Sequence, residues 1–130
     1  MPRFATARHV SSAALVLLSA SAAALAHHGW SWAEGEVSRL TGTIARIVIA
    51  PPHPTLTVEA ADGTLWTVEL GNPGRTQRSG FVEGTAAPGD RVTVLGNRAQ
   101  DSAEPRMKAV RITVEGRDYD MYPERIPPDA

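Results

Sequence analysis

The stretch Thr55–Leu70, "TLTVEAADGTLWTVEL", decides how the chain folds. Its first run alternates: Leu56 and Val58 share one face, and Thr57 and Glu59 the other. Its second run places Trp66, Val68 and Leu70 together. Asp62-Gly63 between them is a tight-turn signal. Two alternating runs joined by such a turn predict a β-hairpin.

Working outward, Ser38–Ala50 ("SRLTGTIARIVIA") is rich in β-branched residues and too long to keep one apolar phase. Gly42 and a change of phase near Ile47 predict a strand that bends or carries a bulge. Pro51, Pro52 and Pro54 stop that strand and frame His53 in a loop. On the other side, Gly71–Pro88 breaks the alternation. Asn72-Pro73 offers a cap and a first-turn proline for a short helix. Arg91–Gly96 and Met107–Glu115 predict two further strands, with Val110, Ile112 and Val114 in phase. Three strands, an irregular or helical insert, then two strands predict an all-β chain with a five-stranded OB-like barrel. A small open sandwich is the alternative. The expected divisions are residues 1–26, a leader; 27–37, an N-terminal segment; 38–116, the barrel; and 117–130, a polar, proline-ended tail.

The 13 basic and 14 acidic residues nearly cancel, which argues against nucleic acid or an anionic membrane surface as partner. Among the basic residues only Lys108 is a lysine. The chain holds no cysteine, so disulfides, thiolate metal sites and thiol catalysis are excluded. Arg3 and Arg8, the apolar run from Ala13, and Ala24-x-Ala26 read as an export signal cut after Ala26. The strongly apolar part is shorter than the roughly 20 residues that a spanning helix needs. The exported form is therefore expected to be periplasmic or secreted, with no membrane attachment.

Cleavage after Ala26 makes His27 a terminal residue. Its α-amine and Nδ1 then chelate one metal, since a terminal amine near pKa 8 loses its proton to a metal at neutral pH. A third nitrogen completes a T-shaped set, a histidine brace, which suits Cu(II) better than zinc. His53 is the expected third ligand. His28 offers a competing mode through the amine, its own deprotonated amide and its imidazole. The plain alternative is that His27 and His28 are polar terminal residues and His53 a loop residue. Trp30 and Trp32, two apart, point the same way if the segment is extended. They serve as packing over an open barrel end or as an apolar screen around a metal. Met107 reads as core, Met121 is an open thioether candidate, and Glu34 and Glu36 read as solvated charges.

His27-His28-Gly29-Trp30, Pro52-His53, Trp66-Thr67-Val68-Glu69 and Pro88–Gly96 together resemble an uncharacterised family of small exported bacterial proteins, a domain-of-unknown-function family. Pro51 stands where many of those relatives have Asn. The resemblance implies no activity. No serine elbow or carboxylate pair at catalytic spacing is present, so no enzyme is expected. Oxidative copper enzymes acting on polysaccharides resemble larger sandwiches. The leading expectation is a copper carrier or buffer, with the metal ion and another periplasmic protein as partners. The second is a metal-free binding module for a solute, glycan or protein, with Arg75, Gln77 and Arg78 as polar contacts or solvated residues.

Overall fold

The computed structural model describes residues 29–130. His27 and His28 lie outside the described residues. The predicted hairpin is present as β2 (Thr55–Ala60) and β3 (Leu65–Glu69), with Leu56 opposite Val68 and Val58 opposite Trp66. Gly63 takes a φ of 82°, a left-handed conformation that glycine adopts without a Cβ penalty. Asp62 Oδ1 accepts from the Thr64 amide at 2.9 Å and closes the turn.

β1 (Ala33–Val48) is the long coiled strand. Its first part pairs with β4 (Arg91–Ala99) and its second with β2. The register slips between Ile44 and Arg46, close to the change of phase near Ile47. β1 starts at Ala33, ahead of the expected Ser38, because a second irregularity lets it stay paired. Asn97 holds that irregularity by donating from Nδ2 to the carbonyls of Glu34 and Glu36, both at 3.1 Å.

The insert holds a short helix, α1 (Pro73–Arg78), capped by Asn72 Oδ1 on the Arg75 amide at 2.9 Å. The chain then runs through β4 into β5 (Arg106–Val114). β4 and β5 are antiparallel, and the first residues of β5 pair in parallel with β3. The ring β1–β2–β3–β5–β4 is therefore closed, an OB-like barrel rather than an open sandwich. Its interior holds Ile44, Leu56, Val58, Val68, Val94, Met107 and Ile112, all fully buried.

Two expectations need correction. Residues 117–130 are not a tail outside the barrel. Glu115 (φ 52°) and Gly116 (φ 75°) turn the chain back, and β6 (Arg117–Asp120) pairs along the second half of β5. The polar pattern hid this strand because its outward residues bond β5 side chains. Asp120 accepts from Arg111 Nε at 2.6 Å and Asp118 from Thr113 Oγ1 at 2.6 Å. Tyr119, Met121 and Tyr122 are buried, so Met121 is core. Trp30 and Trp32 are not in an extended run. They lie in a turn in which the Ala33 amide donates to the Trp30 carbonyl at 3.0 Å. Among the described residues no helix is long and apolar enough to cross a membrane.

Candidate functional site

β3 alternates across the sheet: Val68 is fully buried, while Leu65 and Thr67 on the other face are exposed. Glu69 shares the face of Leu65 and Thr67, yet it is only 8% exposed. Its register partner across the parallel β3–β5 seam is Lys108. The ion pair is thus on the outward side of the seam and is buried by chain laid over it.

That cover comes from both termini of the described chain. Trp30 meets Tyr122 edge to face at 4.9 Å between ring centres. Lys108 Nζ lies 5.6 Å from the Trp30 ring centre and 5.8 Å from that of Tyr122. Arg125 stacks over Trp30 at 3.9 Å, Arg106 over Trp32 at 3.7 Å and Arg75 over Tyr122 at 4.5 Å. Cations over aromatic faces are attracted by the ring quadrupole, more strongly where water is excluded.

Beneath this cover, Lys108 donates to Glu69 Oε1 at 2.7 Å and Arg106 to Glu69 Oε2 at 2.8 Å. Burial alone would raise the Glu69 carboxyl, but the hydrogen bonds from Lys108 and Arg106 outweigh it and hold the group below its ordinary value. Burial pushes the Lys108 ammonium down from its ordinary value, against the opposing pull of Glu69.

His53 reaches the same cluster from the loop between β1 and β2. Its Nε2 lies 3.6 Å from Glu69 Oε1, too long for a hydrogen bond but close enough for electrostatic contact. Its Nδ1 is buried and has no hydrogen-bond partner. The loop is fixed next to the site because the Leu70 amide donates to the Pro54 carbonyl at 2.9 Å.

Of the expected ligands, His53 is therefore in a polar cluster, and His27 and His28 lie outside the described residues. Among the described residues no three His, Asp or Glu side chains are grouped so as to hold a metal by themselves. Met107 is fully buried core, and Glu34 and Glu36 are exposed. Arg75 is committed to Glu124 at 3.1 Å and to the Tyr122 ring. Gln77 and Arg78 are exposed. Sequence reasoning missed Glu69, Lys108, Arg106 and Tyr122. One signal was available: the chain's single lysine sits in the apolar run "MKAV" of Met107–Val110.

A search of curated proteins gives no match. Among solved structures, a chain of the S. pombe Stn1–Ten1 complex is similar, with a TM-score of 0.50 and 22% identity. The match covers 60% of this chain and 57% of that one, and the likeness is one of fold. A family model described as "Family of unknown function" matches residues 14–107. The OB-like ring, the resemblance carried by the histidine and "W-x-V-E" motifs, and a match over most of the sequence agree: the chain belongs to the family of unknown function DUF6152.

Proposed function

We propose that this is an exported, periplasmic copper-binding protein that carries or buffers the metal without catalysing a reaction. In this reading signal cleavage frees the His27 amine. That amine and the His27 imidazole bind Cu(II) together with His53, and His28 supplies the competing terminal mode. The observation that carries the reading is the placement of Trp30. It faces Lys108 at 5.6 Å from ring centre to Nζ, Lys108 donates to Glu69 at 2.7 Å, and Glu69 lies 3.6 Å from His53 Nε2. The first described residues and His53 thus adjoin one polar cluster, which supports the reading. The buried Nδ1 of His53, which has no hydrogen-bond partner, and Glu69 3.6 Å from the opposite ring nitrogen support the same reading. A metal-bound imidazole ordinarily has its other nitrogen facing such an acceptor.

The test compares three forms of the mature protein: one beginning with free His27, one with that amine acetylated, and His53→Ala. Cu(II) is titrated into each and electron paramagnetic resonance spectra are recorded. Loss of at least tenfold in affinity on acetylation and on His53→Ala, with altered spectra, supports the brace. Loss on acetylation alone points to the His28 mode. Equal, weak binding by all three points to a metal-free binding module.

A further inference from the structure

We infer that the open edge of β1 from Ala45 to Ile49, with the groove beside it, takes an extended segment of a partner protein as an added strand. β1 keeps β2 as its neighbour as far as Val48 opposite Thr55, but its pairing with β4 ends at Thr43 opposite Arg91. The last bonds on that side join the Ile44 amide to the Asp90 carbonyl at 2.9 Å and the Gly89 amide to the Ile44 carbonyl at 2.7 Å. Beyond them β1 has no strand beside it there among the described residues. The register identifies the backbone groups left over. The Ala60 amide bonds Thr64 on the β3 side, so by alternation Thr55 and Thr57 turn their backbone groups to β1. Those two stand opposite Val48 and Arg46. Ile47, between them, therefore turns its amide and carbonyl to the open edge. Unpaired edge groups of this kind are a template for strand addition.

Across from this edge, the insert after α1 forms the second wall of a groove of about 420 Å³, which continues into a hollow of about 230 Å³ beside Pro51 and Pro73. The wall is held by its own turns. Thr85 Oγ1 donates to the Val82 carbonyl at 2.7 Å, and the Ala87 amide donates to Asp90 Oδ2 at 2.9 Å. Ile49 on one wall and Val82 on the other are 45% and 43% exposed; among the described residues only Leu65, on β3, is another large apolar side chain so open to water. An added strand would set alternate side chains against Ile47, Ile49 and Val82 and cover them. Charge selects the occupant. Arg46 and Glu83 line the groove from its two walls, both are exposed, and neither is in an ion pair with a described residue. An occupant that sets an acidic side chain beside Arg46 and a basic one beside Glu83 complements both. A second copy does not. Antiparallel pairing of two such edges about Ile47 would set the two Arg46 side chains diagonally on one face, like charge near like charge. The occupant is thus a segment of a different protein, apolar at alternate positions, with one charge of each sign between them.

The groove does not depend on copper, so the experiment is run on the mature protein with chelator present. The probes are acetylated and amidated nonapeptides in which valine alternates with serine, one glutamate and one lysine replacing serines in every relative placement. Amide resonances of the protein and the anisotropy of labelled peptide follow binding. At least one placement is expected to bind and to shift the Ile47, Ile49 and Val82 amides. Methylating its backbone nitrogens one at a time is expected to abolish binding at alternate positions, as strand pairing requires. Val82→Asp, at an exposed position, is expected to lower affinity about tenfold or more. Arg46→Glu is expected to do the same, and a peptide with lysine in place of its glutamate to recover the loss. If no peptide shifts those amides at about 1 mM, or if peptides of the same composition in scrambled order bind equally well, the proposal is overturned. It is overturned equally if sedimentation shows a dimer that Val82→Asp dissociates, since a second copy then holds the groove.

Discussion

Replacing Glu69 with alanine gives the sharpest test of how the seam is held. Lys108 is fully buried, and its ammonium donates to Glu69 at 2.7 Å. Removing the carboxylate leaves an ammonium without its counter-charge under Trp30 and Tyr122. Breaking a buried pair from one side costs about 3–5 kcal/mol. Arg106 also loses Glu69, but its side chain is about one-third exposed, so water compensates it and it adds little. Against a usual total of about 5–15 kcal/mol, the variant is severely destabilised. At about 4–8 °C per kcal/mol for a domain of this size, its melting temperature falls by about 12 °C or more. Urea unfolding with chelator present, followed by tryptophan fluorescence, measures the effect. A Glu69→Leu/Lys108→Met double variant removes both charges and is expected to recover most of the loss. The single variant also carries a pH signature. Unpaired Lys108 has a still lower folded pKa, so the unfolded chain binds more protons and stability rises as pH climbs toward about 10.4. A cost below about 1 kcal/mol at neutral pH, or a double variant as unstable as the single one, would refute the account.

The unaltered protein has its own acid dependence. Glu69 is held below its ordinary value, so its contribution is fully present above the unfolded carboxylate pKa and is lost as pH falls through the folded one; Glu69→Gln should flatten that limb of a stability–pH curve. Gly96→Ala would drive a Cβ into the Lys108 carbonyl across the β4–β5 ladder. It should cost about 3 kcal/mol or prevent folding, whereas Gly35→Ala, with open space around it, should leave the urea midpoint within about 0.5 kcal/mol. Ending the chain after Gly116 removes Tyr119, Met121 and Tyr122 from the core, and circular dichroism should show loss of cooperative melting.

Local chemistry made much of the barrel legible. Asp62-Gly63 marks the hairpin turn, Asn72-Pro73 marks α1, and the broken apolar phase of Ser38–Ala50 marks a strand that has to bend. Each signal lies within a few residues of the structure it specifies. β6 was illegible because one inward residue, Tyr119, among charged neighbours looks like solvated chain until Arg111 and Thr113 are opposite. The polar cluster was illegible for a related reason. Glu69 and Lys108 meet only through the parallel register of β3 and β5, and no local periodicity encodes that register. Their burial depends further on Trp30 and Tyr122, which come from opposite ends of the described chain. His53 could be picked out from its proline frame, but its neighbours could not.

The meeting of Trp30 with Tyr122 has a topological consequence. Segments from the two ends of the described chain meet there at 4.9 Å between ring centres, so a linker long enough to run back from Ala130, which lies beside Thr93 and Arg111, can close the chain, and new ends can be opened at the exposed Asp62–Gly63 turn. Such a circular permutant keeps every strand pairing of the ring but turns position 27 into an interior peptide bond. It would have the architecture without the free amine that the proposed copper site requires, and so would separate the barrel as a scaffold from that proposed ligand.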